Sequence, residues 1–197
     1  MLIPNPSFKR DALKRAPYLN VRRRSNNIMV SLVDKTKWAT LVGRLFLSFG
    51  TIESATHDCI RNWAGEVVYK HVKKMPLTRR IELAIDLLAN QEFSEANKAL
   101  FLGLLKNAKT LVEQRNIIAH SPLALVLFQE EPETPFREAI ASNTDENKLI
   151  EFAELQEAVK QAEAISENIH GALAMFRFES LNLEFLQQAG GLPKSSA

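Results

Sequence analysis

Cysteine is almost absent from this chain of 197 residues: Cys59 stands alone, which excludes an intramolecular disulfide and fits a reducing compartment. Long apolar runs are missing too. The longest strongly apolar, uncharged stretch runs from Asn116 to Gln129, 14 residues interrupted by His120 and Pro122. A bilayer-spanning helix takes about 20. The opening MLIPNPSFKRDALKR sets prolines and charges where a secretory signal needs an unbroken apolar core. A soluble, cytoplasmic protein without membrane contact is expected. No P-loop, nucleotidyltransferase or helicase motif occurs, and no internal repeat or low-complexity domain is present. No second ligand pair completes a metal site, so neither a metal nor a cofactor is expected.

What is present fits one domain with appendages. The apolar fraction, 46%, is ordinary for a globular protein. The net charge of +2 hides an uneven distribution: residues 1–115 hold 20 Lys+Arg against 10 Asp+Glu, and residues 116–197 hold 5 against 13. Such a split is either an internal match between two halves of one fold or a basic face for nucleic acid beside an acidic one. Residues 1–34 carry Pro4, Pro6 and Pro17, and 1–33 hold seven basic side chains against Asp11 alone. This reads as a basic extension. Its Lys and Arg can hold phosphates, with little aromatic interleaving beyond Phe8 and Tyr18, or form a solvated tail.

From about Lys35, Trp38, Val42, Leu45, Phe49, Ile52, Cys59 and Trp63 recur at three-and-four spacing, the pattern of a first long helix, and Pro76 breaks any helix that runs on from Trp63. Glu53 and His57 share one face at the edge of that stripe. They can orient a catalytic base, begin a metal site, or make a local hydrogen bond at the core rim. Cys59 lies in the stripe and reads as a small buried apolar residue. Around YKHVKKM, the side chains Lys73, Lys74, Arg79 and Arg80 are read with Lys70 as a second basic surface, and His71 as exposed. Thr78 is the expected N-cap of a short helix through Ile81, Ala84, Ile85 and Leu88.

A central helix of roughly 26 residues should begin at Ser94, with Glu95 favoured by the dipole in its first turn. It should end near His120, because Pro122 disfavours helical geometry at Ser121. Lys106, Lys109, Glu113, Asn116 and His120 align on one side of it. LALVLF then reads as a strand, EEPETP as a loop, and REAIAS with KLIEF as a hairpin around NTDEN. Apolar spacing from Phe152 through Leu155, Val159, Ile165, Ile169 and Phe176 gives a last helix, with His170 at a packed or rim position. The expected fold is mainly α: an antiparallel helical bundle over 35–189 with a small β-hairpin insertion at about 123–152, and a tail at 190–197 disordered by composition.

The chemistry concentrates at the end of the central helix. Arg115 supplies a planar, permanent cation for a phosphate oxygen, and His120 a group that exchanges a proton near neutrality at the favourable end of the helix dipole. Asn116 can orient either. Around an ideal helix, Arg115 and His120 stand about 140° apart while Asn116 and His120 stand about 40° apart. A single helix does not focus Arg and His on one atom; two copies about a twofold axis can.

The spacing Arg115-Asn116-x-x-x-His120 resembles the signature of the HEPN superfamily (higher eukaryotes and prokaryotes nucleotide-binding domain). The resemblance covers this one helix end and implies a helical homodimer. It further implies a metal-independent RNA endonuclease with Arg115, Asn116 and His120 at the catalytic centre, giving 2′,3′-cyclic phosphate and 5′-hydroxyl products. RNA would be held along Lys106, Lys109, Lys73, Lys74, Arg79 and Arg80, with Glu53 and His57 accessory. A toxin or phage-defence role would follow, restrained by a separate regulatory or antitoxin protein. Some branches carry a modifiable tyrosine two residues after the histidine; Pro122 occupies that position here, which sets the chain apart from that branch. Two other readings remain beside this one. One is a non-catalytic HEPN-like module binding RNA, a nucleotide or a protein; the other is a purely structural dimerisation bundle. Against every functional reading of this helix end stands a structural one, in which Arg115 pairs with a carboxylate such as Glu95 or one in the acidic hairpin, Asn116 caps a loop, and His120 only finishes its helix.

Overall fold

The computed structural model of the chain describes residues 34–127, 136–145 and 148–188. The extension before Asp34, the loop EEPETP and the tail expected at 190–197 lie outside the described residues. Helix α1 spans Lys35–Val72, and the Asp34 carboxylate caps it by accepting from the N–H groups of Thr36 and Lys37 at 3.1 and 3.4 Å. Its apolar stripe buries Trp38, Leu45, Phe49, Ile52, Cys59 and Ile60. The Cys59 thiol is pushed up by this burial, an inert apolar packing group.

The helix that runs on past Trp63 is interrupted at Gly65, ahead of Pro76, by a φ of 82° and a ψ of 164°. Only glycine occupies that region without strain. The chain then turns back on itself. In a continuous helix residues 57 and 69 would stand about 18 Å apart along the axis, yet the His57 and Tyr69 rings are 5.6 Å apart and the Arg61 guanidinium lies 4.3 Å from the Tyr69 ring.

Helix α2 spans Leu77–Ala89. Its N-cap is Pro76, not Thr78: the proline's extended backbone starts the helix without a side-chain cap, and its carbonyl accepts from the Arg80 N–H at 3.1 Å. Helix α3 spans Glu95–His120, with Ser94 capping it through its hydroxyl to the Asn97 N–H at 3.4 Å. Helix α4 spans Phe152–Gln188. Its own periodic stripe, from Leu155 to Phe176, closes the core. His170 is exposed instead of packed.

Cross-helix contacts fix the directions. Trp38 meets Phe152, Arg44 meets Glu163 and Trp63 meets Phe176, so α1 and α4 run the same way. Trp63 also meets Phe101 while Arg115 reaches Glu53, so α3 runs opposite to both. Arg80 beside Glu53, and Phe93 near Trp63, put α2 alongside α1. The molecule is therefore a helical bundle, antiparallel about α3. Aromatic edges of Trp63, Phe93, Phe101 and Phe176 fill one end.

A small antiparallel sheet occupies the other end. Strands β1 (Leu123–Leu127), β2 (Phe136–Ala141) and β3 (Leu149–Glu151) lie in the order β1-β2-β3, with Leu123 opposite Ile140 and Ile140 opposite Ile150. The strand expected after Pro122 and the expected hairpin join into one three-stranded sheet, within the insertion expected at about 123–152. Glu138 locks the sheet to the start of α1, taking Trp38 Nε1 at 2.7 Å, Lys37 Nζ at 2.8 Å and the Asp34 N–H at 3.0 Å. Lys37 and Trp38 hold this carboxyl below the usual range. Part of the charge asymmetry folds away in such contacts: Arg44 forks onto Glu163 with two bonds of 2.7 Å. Among the described residues no helix is long and apolar enough to cross a membrane.

Candidate functional site

The last two turns of α3 present two faces. On the outer face, Lys109, Asn116 and His120 line a groove of about 580 Å³, closed opposite by the turn Ser142–Asp145 and by Lys148. Val112 and Ile117 form its apolar floor. The sheet places this turn: Ser142 Oγ accepts from the N–H groups of Thr144 and Asp145 at 3.3 and 3.2 Å, and Asn143 Nδ2 donates to the His120 carbonyl at 3.4 Å. The helix end is thereby satisfied by a residue 23 positions downstream. The His120 and Asn116 side chains are exposed.

On the inner face, Arg115 enters a network that spans three helices. Its Nη2 reaches Glu53 Oε1 at 3.2 Å, its Nη1 donates to Asn116 Oδ1 at 3.2 Å, and its guanidinium stands 5.2 Å from the Phe46 ring centroid. The second Glu53 oxygen takes Arg80 Nη2 at 3.0 Å. Arg80 is only 5% exposed and its Nη1 meets His57 Nε2. A guanidinium has only donors, so Nε2 is the unprotonated acceptor and His57 is the neutral Nδ1–H tautomer. Burial first, and then the Arg80 charge, hold the His57 pKa below its ordinary value. Two guanidiniums around one carboxylate leave the network with one net positive charge. Part of it stays accessible, because the Arg115 side chain is 26% exposed.

Comparison with family models, curated proteins and solved structures finds no match.

The expected residues divide into three groups. Lys109, Asn116 and His120 share the groove. Glu53, His57, Arg80 and Arg115 share the inner network, with Asn116 as the bridge between groove and network. Lys73, Lys74, Lys106 and Arg79 are exposed and do not line the groove. The placement of Arg80 on a basic surface is corrected: it is a buried ion-paired group, because it shares a helix face with Leu77, Ala84 and Leu88. That spacing was a legible signal. Arg79 and Lys109 converge on Glu82 at 3.0 and 2.8 Å, and these bonds, Lys109's foremost, draw its carboxyl below the usual range. The carboxylate facing Arg115 is Glu53 of α1, neither Glu95 nor one from the acidic hairpin. Among the described residues no group of three or more His, Cys, Asp or Glu side chains is placed to hold a metal ion. Phe46 and the Ser142–Asp145 turn were missed as neighbours of the site, since nothing in a linear sequence ties residue 46 or 143 to residue 115 or 120.

Proposed function

We propose that this chain is a metal-independent RNA endonuclease of the HEPN type, acting as a homodimer in which two Arg115/His120 pairs meet at one phosphodiester. The observation that carries the reading is the side chain of Asn116, which accepts from Arg115 at 3.2 Å while lining the groove that His120 occupies. One continuous edge of α3 thus offers a cation, an amide and an exposed imidazole. Within one chain Arg115 faces α1 and His120 faces the turn, so a second copy supplies the convergence that one helix lacks.

The reaction needs no group beyond these. A neutral imidazole of one copy takes the 2′-hydroxyl proton as O2′ bonds to phosphorus. The imidazolium of the other copy gives its proton to O5′ as the P–O5′ bond breaks, leaving a 2′,3′-cyclic phosphate and a 5′-hydroxyl. Arg115 balances the negative charge that grows on the non-bridging oxygens. Glu53 and Arg80 act behind it: they fix the guanidinium while leaving surplus positive charge. Exposed Lys73, Lys74 and Lys106 supply sequence-independent attraction to the backbone, whereas Arg79 is already paired with Glu82 at 3.0 Å.

The test is cleavage of varied RNAs by purified protein in EDTA, with product ends analysed and mass measured by light scattering. Cleavage to cyclic phosphates by a dimer, abolished by His120→Ala and by Arg115→Ala, is the expected result. No cleavage of any RNA, or undiminished cleavage by His120→Ala, removes the enzyme. One observation favours the second reading, a non-catalytic HEPN-like module for RNA, a nucleotide or a protein partner: Arg115 is already paired with Glu53 at 3.2 Å. In that case RNA binding survives His120→Ala and weakens steeply with salt. A toxin or defence role, with a separate restraining protein, predicts growth arrest on expression that His120→Ala relieves.

A further inference from the structure

The charged side chains around the groove are matched at its own edges. Lys109 pairs with Glu82 at 2.8 Å, and Lys148 with Glu113 at 2.6 Å and Asp145 at 3.9 Å. A track for phosphates requires unmatched Lys and Arg, so this is not the profile of a backbone channel. The floor of Val112 and Ile117 is apolar, and between these ion pairs and His120 the lining carries the amides of Asn116 and Asn143 and the hydroxyls of Thr144 and Ser121. The two amides face the groove with complementary ends. Asn116 Oδ1 accepts from Arg115, which directs its Nδ2 donors elsewhere, while Asn143 Nδ2 donates to the His120 carbonyl, which leaves its Oδ1 as an acceptor. The Thr144 hydroxyl lies 3.2 Å from Ser142 Oγ and keeps a lone pair with which to accept. An uncharged, flat group with an apolar face and hydrogen-bonding edges fits this lining. A volume of about 580 Å³ falls within the range of small-molecule sites, roughly 300–1,000 Å³.

We infer that the groove between α3 and the Ser142–Asp145 turn is a base-recognition subsite that takes one unpaired nucleobase of RNA beside His120. Sequence-selective readers of RNA take splayed single-stranded bases by their edges, and the groove holds a donor on one wall and an acceptor on the other for such an edge. The inference rests on the ribonuclease reading for the position of the phosphate and deepens it by naming what selects the cleavage position. Base binding itself is separable from cleavage.

The experiment titrates the methyl-labelled full chain with each of adenosine, guanosine, cytidine and uridine at millimolar concentration, and with inorganic phosphate, following the Val112 and Ile117 methyl signals by NMR. At least one nucleoside is expected to shift these methyls to saturation, and phosphate alone to leave them in place. Thr144→Val should weaken that nucleoside by about fivefold, the effect of roughly one hydrogen bond, as should Asn143→Ala. Methyls unmoved by all four nucleosides, or affinity equal in both turn variants, overturn the subsite. If the wild type cuts RNA while the nucleosides leave the methyls unmoved, the subsite falls and the ribonuclease reading stands. If a nucleoside binds and RNA is never cut, the ribonuclease reading falls and the subsite stands.

Discussion

The two faces of α3's last turns are built on opposite physical terms. The inner face takes a guanidinium away from water, gives it a carboxylate at 3.0 Å and sets a neutral histidine against it; position there is enforced because an unpaired buried charge is costly. The outer face leaves His120 exposed beside a groove whose lysines are neutralised within a few ångströms. Surface pairs of this kind contribute little to stability. The difference teaches that the inner face holds geometry and the outer face is available for ligands. Asn116 is where the two meet.

The sharpest way to break this contrast is Glu53→Ala, which strands Arg80 without its carboxylate. It should cost about 3–5 kcal/mol, the usual effect of removing one partner of a buried pair, read as a lower urea midpoint. A loss indistinguishable from that of a surface variant would show that the network is not under this constraint. Gly65→Ala should cost about 1–3 kcal/mol, because alanine must adopt a backbone region kept for glycine. It should also loosen the returning arm and Tyr69 from His57, seen as faster amide exchange over residues 66–72.

Acid should weaken the inner face selectively. The unfolded-state histidine takes its proton near pH 6.5, while folded His57 takes it only at lower pH because burial and Arg80 oppose the charge. The unfolded chain therefore binds more protons between those values. The contribution of neutral His57 is fully present above about pH 6.5 and is lost as pH falls through its lowered folded value. Urea midpoints measured from pH 7.5 to 5 should drop in the parent and drop less in His57→Gln; parallel curves would remove His57 as the source. The smallest effect belongs to the outer face: His120→Ala should change stability by no more than about 0.5 kcal/mol while abolishing RNA cleavage. A large destabilisation would reclassify His120 as a structural residue.

The periodic apolar residues made the long helices legible: Trp38 to Trp63, Leu100 to Ile118 and Leu155 to Phe176 all lie in helices near their expected places. The Ser94 cap and the stop before Pro122 were equally local signals, since each acts within a turn of where it stands in the chain. Thr78 misled because a proline two residues earlier set the helix start on its own. Arg80 misled because its charge was weighed more heavily than its spacing from Leu77 and Ala84. The neighbours of the candidate site were not legible, since Glu53 and Arg115 are 62 positions apart, and Asn143 and His120 are 23 apart.

By itself the sequence determined that four apolar stripes must be hidden against one another and that a cation, an amide and an imidazole crowd one helix end. Periodicity, capping and proline stereochemistry operate over a few residues, so they survive in one dimension. Only the tertiary structure decided that Arg115 turns inward to Glu53 while His120 turns outward to the groove, and that Arg80 is buried. Those outcomes depend on which helix faces which, a matter of long-range packing that no local rule encodes.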